Sequence, residues 1–217
     1  EAVEKDIRHW LMSNWDPSLS LQAWRELLVD AGWAVPSWSR QCFGRDLPAW
    51  ADQVVADEIR SIGAVGQPLG SGMSLAAPTI VEHGSDELRQ LILRPTLTGE
   101  KTWCQLFSEP GAGSDLAGLS TSAVLDGDEW VINGQKVWNT LAHLASRGML
   151  VARTDPNAPK HKGLTYFALD MHAPGVEVRP LRQMTGEAEF NEVYLTEVRV
   201  PDSDRIGDVG EGWRVSM

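Results

Sequence analysis

The segment with the clearest capacity for chemistry is Phe107–Asp115, which reads FSEPGAGSD. Its proline and glycines predict a tight turn at the end of a strand, where glycine permits a positive φ and the close approach of a ligand. Successive backbone N–H groups in such a turn can bind an anion. The dinucleotide GxGxxG, P-loop and GxSxG patterns are absent. Taken alone, the segment fits an ordinary Gly-Pro turn best.

A second segment, Gly134–Thr140, places an indole near a hydroxyl in the sequence GQKVWNT. If it is a strand, Trp138 and Thr140 point to the same side, because strand side chains alternate. The indole face can then cover a conjugated ring, and the hydroxyl can donate to a ring nitrogen. Taken alone, a core tryptophan beside a surface threonine is the commoner origin of such a pair.

Together, EPGAGSD at 109–115 and NGQKVWNT at 133–140 resemble the signature of the acyl-CoA dehydrogenase middle domain. The resemblance covers essentially the whole chain. Further matching stretches are HGS at 83–85, LTGE at 97–100, LVARTD at 150–155, PGV at 174–176, VRVP at 198–201 and GEGW at 210–213. The stretch EAEFNEV at 187–193 resembles a bacterial subgroup that includes members acting on sterol-derived thioesters.

The resemblance implies an FAD site formed by two groups of residues. The groups are Gln105, Leu106, Phe107, Ser108, Gly111, Gly113 and Ser114, and then Trp138, Asn139 and Thr140. Ser108 would offer its hydroxyl to the edge of the isoalloxazine, and Thr140 would address flavin N5. The Gly111–Ser114 turn would lie by the pyrophosphate, with Ser114 also reaching the acyl-CoA substrate.

The sequence departs from the family pattern at three places. Gln105 stands where an aromatic residue is common, and Asn139 stands where an apolar residue or threonine is usual. The Gly44–Arg45 loop has lost the paired glycines often found there. These departures bear on ligand affinity and substrate fit more than on the fold.

The implied activity is FAD-dependent α,β-dehydrogenation of an acyl-CoA of the fatty-acid or sterol-side-chain type. The implied partners are electron-transferring flavoprotein as electron acceptor and a homo- or hetero-oligomer. In the family, a glutamate of the C-terminal helical domain removes the α proton. We expect that domain beyond Met217 and assign no catalytic residue here, Glu109 included. A non-catalytic partner subunit and a flavin oxidase or monooxygenase remain alternatives.

The first hundred residues show apolar residues at helical spacing, which predicts an all-helical domain. Start and stop signals place one helix after Asp16 and end it before Gly32, and a further helix is predicted over about 49–62. Ser85 is predicted to cap a helix over Asp86–Leu93. The N-terminal domain is therefore placed at residues 1–100.

After Lys101 the pattern changes to short apolar runs separated by turn residues, which predicts strands. Turns are predicted at Asp126–Asp128 and at Asn133–Gly134. Predicted strands lie at 103–107, 120–125, 130–132, 135–138, 149–153, 164–170, 176–180 and 193–200. The fold class is α+β, with an antiparallel β-barrel or sandwich-like middle domain at 101–205. Residues 206–217 would begin a C-terminal helical domain.

Composition excludes several classes of protein. The formal net charge of -11 repels phosphate backbones and argues against nucleic-acid binding. No apolar run approaches the ~20 residues of a membrane span. The two cysteines form no CxxC pair, which favours buried thiols in a reduced, cytoplasmic protein. The five histidines show no metal-ligand spacing, so no metal site is predicted.

Overall fold

The computed structural model describes residues 1–217 and divides into two compact units. The helical unit comprises Glu1–Ala77 and Arg89–Glu100, and the β unit comprises Pro78–Leu88 and Lys101–Met217. The predicted α+β class is confirmed, because helices occupy the first hundred residues and a mostly antiparallel sheet follows.

The N-terminal hundred residues contain five α-helices and one π-helical turn. They are α1 (Ala2–Asn14), α2 (Leu21–Asp30), α3 (Trp50–Ser61), the π-helical turn Gly72–Ala76, α4 (Ala77–His83) and α5 (Asp86–Thr98). Gly32 follows α2 with a φ of 74°. Ser85 caps α5 as predicted, since its Oγ accepts a hydrogen bond from the Leu88 amide at 3.1 Å. The helix runs past its predicted end at Leu93, with Pro95 inside it.

The core of the helical unit forms where the apolar faces of α1, α2 and α3 meet. Its buried members are Ile7, Leu11, Trp24, Leu28, Trp33, Val55 and Ile59. Trp24 packs against two other indoles, with centroid separations of 5.7 Å to Trp10 and 4.7 Å to Trp15. Several of the ten tryptophans therefore serve packing.

The β unit is an eight-stranded sheet followed by a short helix. The strands are β1 (Trp103–Leu106), β2 (Ser122–Asp126), β3 (Glu129–Lys136), β4 (Arg147–Arg153), β5 (Leu164–Asp170), β6 (Val176–Leu181), β7 (Phe190–Pro201) and β8 (Arg205–Ile206), and α6 is Gly212–Ser216. Their order is β6-β7-β3-β2-β4-β5-β8, with β1 parallel to β4 outside this path. β2 also meets β4 in parallel through one pair, and the other pairings are antiparallel.

The predicted hairpin turn at Asn133–Gly134 is wrong, because β3 runs through both residues. The register between β3 and β7 shifts between Ile132 and Gly134 instead. A Cβ on Gly134 would lie 2.7 Å from the Cα of Thr121. Glycine is therefore needed for close approach of neighbouring backbone rather than for a turn.

Both cysteines are buried and unbridged, as predicted. Burial raises the pKa of the Cys104 thiol to about 12, which makes this thiol a poor nucleophile. No helix combines the length and apolar character required to cross a membrane.

Candidate functional site

The two segments singled out in the sequence lie side by side in the β unit. The amide of Val137 donates to the carbonyl of Ser108 at 2.9 Å. The side chain of Asn139 donates through Nδ2 to the carbonyl of Gln105 at 2.8 Å. Since β1 pairs with β4 and not with β3, these two bonds join the end of β1 to the residues after β3.

A buried ion pair anchors the turn that follows β1. Lys136 is fully buried, and its Nζ donates to Glu109 Oε1 at 2.9 Å, to the Phe107 carbonyl at 3.1 Å and to the Val151 carbonyl at 2.8 Å. The three donors of the ammonium are thus all used, which satisfies the condition for burying such a charge. Lys136 ties the turn to both β3 and β4.

The Glu109 carboxylate accepts further hydrogen bonds from Ser120 and Thr121. Ser120 donates to Oε2 through its amide at 2.7 Å and its hydroxyl at 2.8 Å, and the Thr121 amide donates to Oε1 at 2.9 Å. Burial alone would raise the pKa of Glu109, but the Lys136 ammonium and these donors outweigh it and lower the pKa to about 2. A carboxylate with so low a pKa is a poor general base.

The glycines of the turn have open space rather than a strained backbone. Glu109 and Ala112 exchange backbone hydrogen bonds of 2.9 and 3.0 Å around Pro110 and Gly111. Neither Gly111 nor Gly113 adopts the positive φ that glycine permits. A Cβ added to either glycine would meet nothing within 4 Å. No contact within the chain requires these glycines, and their surface is open to the close approach of a ligand.

The residues after β3 form a constrained loop rather than a strand. Trp138 has a φ of 62° and Leu141 a φ of 54°, both in the left-handed region. Trp138 and Thr140 therefore do not lie on one side of a strand, as the sequence pattern predicted, although both side chains are exposed. Trp138 is 64% exposed and meets the Phe190 ring edge-on at 6.2 Å. Left-handed non-glycine residues cost energy and persist where surrounding bonds enforce them.

Asn191 supplies much of that enforcement. It is fully buried; its carbonyl accepts from the Asn139 amide at 3.1 Å, and its Nδ2 donates to the Asn139 carbonyl at 2.8 Å. The carbonyl of Glu189 accepts from the Leu141 amide at 2.8 Å. This support was not evident from the sequence, where the available signal was an amide residue close to the apolar run predicted as the strand 193–200.

The predicted site residues differ in what they expose. The exposed residues are Gln105, Gly111, Gly113, Ser114, Trp138 and Thr140, and Phe107 and Ser108 are half-buried. Leu106 and Asn139 are buried, so their side chains face the protein. The buried Oδ1 of Asn139 has no hydrogen-bond donor. The constrained loop, the exposed Trp138 indole and the open glycines together fit a surface that a bound group could cover.

Two family models match the chain. Residues 1–100 match the model described as "Acyl-CoA dehydrogenase, N-terminal domain". Residues 104–198 match the model described as "Acyl-CoA dehydrogenase, middle domain".

Individual proteins agree with these matches. The chain is 50% identical over 190 residues to acyl-CoA dehydrogenase FadE34 of Mycobacterium tuberculosis, covering 87% of this chain and 26% of that relative. The structure named "Tcur3481-Tcur3483 steroid ACAD G363A variant" matches with a TM-score of 0.75 and 29% identity, covering 99% and 60% of the two chains. The structure of the ChsE4-ChsE5 complex of M. tuberculosis matches with a TM-score of 0.72 and 30% identity, covering 99% of this chain and 57% of that chain. The chain spans less than two thirds of each of these proteins.

Proposed function

The chain belongs to the acyl-CoA dehydrogenase family, and on that premise we propose that its β unit forms one wall of an FAD site in an enzyme that dehydrogenates acyl-CoA thioesters. One observation carries the proposal. The Val137–Ser108 and Asn139–Gln105 hydrogen bonds bring the end of β1 against the Trp138–Thr140 loop. Ser108, Trp138 and Thr140 are thereby brought into the same region of the β unit.

Each part of this region has a proposed task toward the cofactor. The exposed Trp138 ring would cover the flavin face, and the Ser108 and Thr140 hydroxyls would donate to the flavin ring. The open turn at Gly111–Gly113 lies by the pyrophosphate, where its amides can bind phosphate oxygens. A bound FAD would supply the acceptor for the hydride that leaves the β carbon of the substrate. Hydroxyl donors held in place by the fold would stabilise the charge that develops.

Ser114 is proposed to contact the acyl-CoA, since it follows the open turn and is exposed. The proton-abstracting base is proposed to lie outside residues 1–217. The Glu109 carboxylate accepts hydrogen bonds from Lys136, Ser120 and Thr121. The Glu192 carboxylate accepts one from the Tyr194 hydroxyl at 3.0 Å. Both carboxylates thus already have partners.

Sterol-derived thioesters are a proposed substrate class, supported by the EAEFNEV stretch and by the similarity to a protein named a steroid ACAD. Electron-transferring flavoprotein is the proposed electron acceptor.

A non-catalytic subunit of a hetero-oligomer is a second candidate function. It is supported by the similarity to proteins solved as the ChsE4-ChsE5 complex and as Tcur3481-Tcur3483. The two candidates differ in flavin content, because a non-catalytic subunit needs no flavin of its own. The flavin absorbance of the purified protein, per chain, distinguishes them.

The proposed site is tested by titrating FAD into the full 217-residue chain and following flavin fluorescence. Thr140→Val should weaken binding by about fivefold, because one lost hydrogen bond is worth about 1 kcal/mol. Thr196→Val, also at an exposed threonine of the β unit but on β7, is the matched control and should bind like wild type. Equal affinity of all three proteins would remove Thr140 from the site.

A further inference from the structure

The helical unit contains a cavity that the proposed FAD site does not use. Its volume is about 480 Å³, which lies within the usual ~300–1,000 Å³ of small-molecule sites. It is bounded by α2, α3 and the segments at 33–38 and 64–69. The apolar part of its lining includes Leu28, Trp33, Val35, Trp38, Val55 and Ile59.

The walls of this cavity are held by specific hydrogen bonds. The Trp24 indole donates through Nε1 to the Val65 carbonyl at 2.6 Å, which fixes the segment at 64–69. Asp52 of α3 accepts from the Ser37 amide at 2.9 Å and from its hydroxyl at 2.6 Å, which fixes the segment at 33–38. The cavity is therefore built into the fold.

Arg25 lines the cavity without a partner for its charge. Its Nε is buried without a hydrogen-bond acceptor, and burial lowers the pKa of the guanidinium. The side chain passes next to Gly99, whose missing Cβ would lie 2.9 Å from Nη1. The other charged residues of the lining are already engaged, since Arg60 pairs with Asp57 at 2.6 Å and Asp52 holds Ser37.

A guanidinium that lines an apolar cavity without a counter-ion is unfavourable until an anion meets it. Guanidinium matches carboxylate geometry well. A single arginine in a chain of formal net charge -11 suits one negative charge better than the two of a phosphate monoester.

We propose that this cavity binds a small apolar carboxylate, with the carboxylate on Arg25 and the hydrocarbon part among the residues of α2 and α3. The site lies within the helical unit and needs neither FAD nor the residues proposed to hold it. It is thus independent of the proposed dehydrogenase activity.

Octanoate and octan-1-ol serve as matched probes, because they share a chain length and differ in the charged end. Each is titrated into the full 217-residue chain by isothermal calorimetry without FAD. We expect saturable octanoate binding and at least roughly tenfold weaker octanol binding, the loss typical of a charge-assisted hydrogen bond. Arg25→Met should weaken octanoate binding to the octanol level.

Arg60→Met is the matched control, because Arg60 also lines the cavity but is already paired. It should bind octanoate like wild type. Ala56→Trp places an indole in the cavity and should abolish binding of both probes. Circular dichroism of each variant should show wild-type helix content, and Arg25→Met should melt no lower than wild type because it removes an unpaired charge. Absent octanoate binding, or equal binding by Arg25→Met, would overturn the proposal.

Discussion

Lys136 Nζ lies 2.9 Å from Glu109 Oε1, with the lysine fully buried and the glutamate 6% exposed. The same ammonium holds the carbonyls of Phe107 and Val151. One side chain thus fixes the turn after β1 against β3 and β4, close in the chain to residues proposed to meet the flavin. The order of the site therefore depends on a charge that solvent never reaches.

Lys136→Met should destabilise the protein by about 3–5 kcal/mol, because it leaves the Glu109 carboxylate buried without its counter-ion. Urea denaturation at neutral pH measures the loss. Lys160→Met, which breaks the solvent-exposed Lys160–Asp115 pair of 2.5 Å, is the matched control and should change stability little. Equal losses in the two variants would contradict the role given to Lys136.

Stability should fall at acid pH through Glu109. Its pKa is about 2 in the folded chain against an ordinary value of 4.5, so the folded state binds this proton less readily than the unfolded state. The stabilisation is therefore present above pH 4.5 and is lost as the pH falls toward 2. Urea unfolding of wild type and Glu109→Gln at several pH values should show the gap between them narrowing across this interval. A gap that stays constant would contradict the low pKa.

Gly113→Ala should leave folding stability unchanged or raise it slightly while weakening FAD binding. The added Cβ meets no protein atom and the backbone needs no positive φ, but the proposed ligand approaches there. Gly134→Ala is the contrasting variant and should destabilise the fold, because its Cβ would clash with Thr121. Thermal melts and FAD titrations of both variants check this. Undiminished FAD affinity in Gly113→Ala would place the pyrophosphate elsewhere.

Trp138→Ala should reduce FAD affinity with a loss of folding stability of about 1 kcal/mol or less, since the ring is 64% exposed. Trp138→Phe should keep part of the affinity, because an aromatic face remains. Trp50→Ala, at an indole of the helical unit that is 56% exposed, should leave FAD binding unchanged. If both Trp138 variants bind FAD like wild type, the indole does not cover the flavin.

The 217-residue chain with excess FAD should not bleach the flavin when acyl-CoA is added without oxygen. Glu109 and Glu192 are both engaged, and a missing general base typically costs ~10²–10⁴-fold in rate. Anaerobic absorbance measures the bleaching. Rapid bleaching dependent on acyl-CoA would place a base within these residues, and Glu109→Gln and Glu192→Gln would then identify it.

Local sequence signals predicted the elements well because caps and alternation act over a few residues. Ser85 begins α5 as predicted, and the strand predicted at 164–170 is β5, Leu164–Asp170. The turn predicted at Asn133–Gly134 is wrong because strand pairing on both sides of β3 overrides the local preference of these residues for a turn.

The buried hydrogen bonds that hold the candidate site in place could not be predicted from the local sequence. Lysine is usually exposed, and nothing near Lys136 in sequence indicates that Glu109 and Val151 will enclose it. Asn191 likewise meets Asn139 only after the sheet has formed, across 52 residues of chain. Family resemblance named the proposed contact residues, whereas the buried polar bonds that position them required the three-dimensional structure.

Residues 78–88 pack with the β unit, whereas residues 89–100 return to the helical unit. Neither unit is therefore one continuous stretch of chain. A proteolytic cut or gene fusion at residue 100 would divide the sequence at its change of pattern but leave α4 and the first turn of α5 joined to the wrong partner. Protein engineering that swaps either unit must therefore carry residues 78–88 with the β unit.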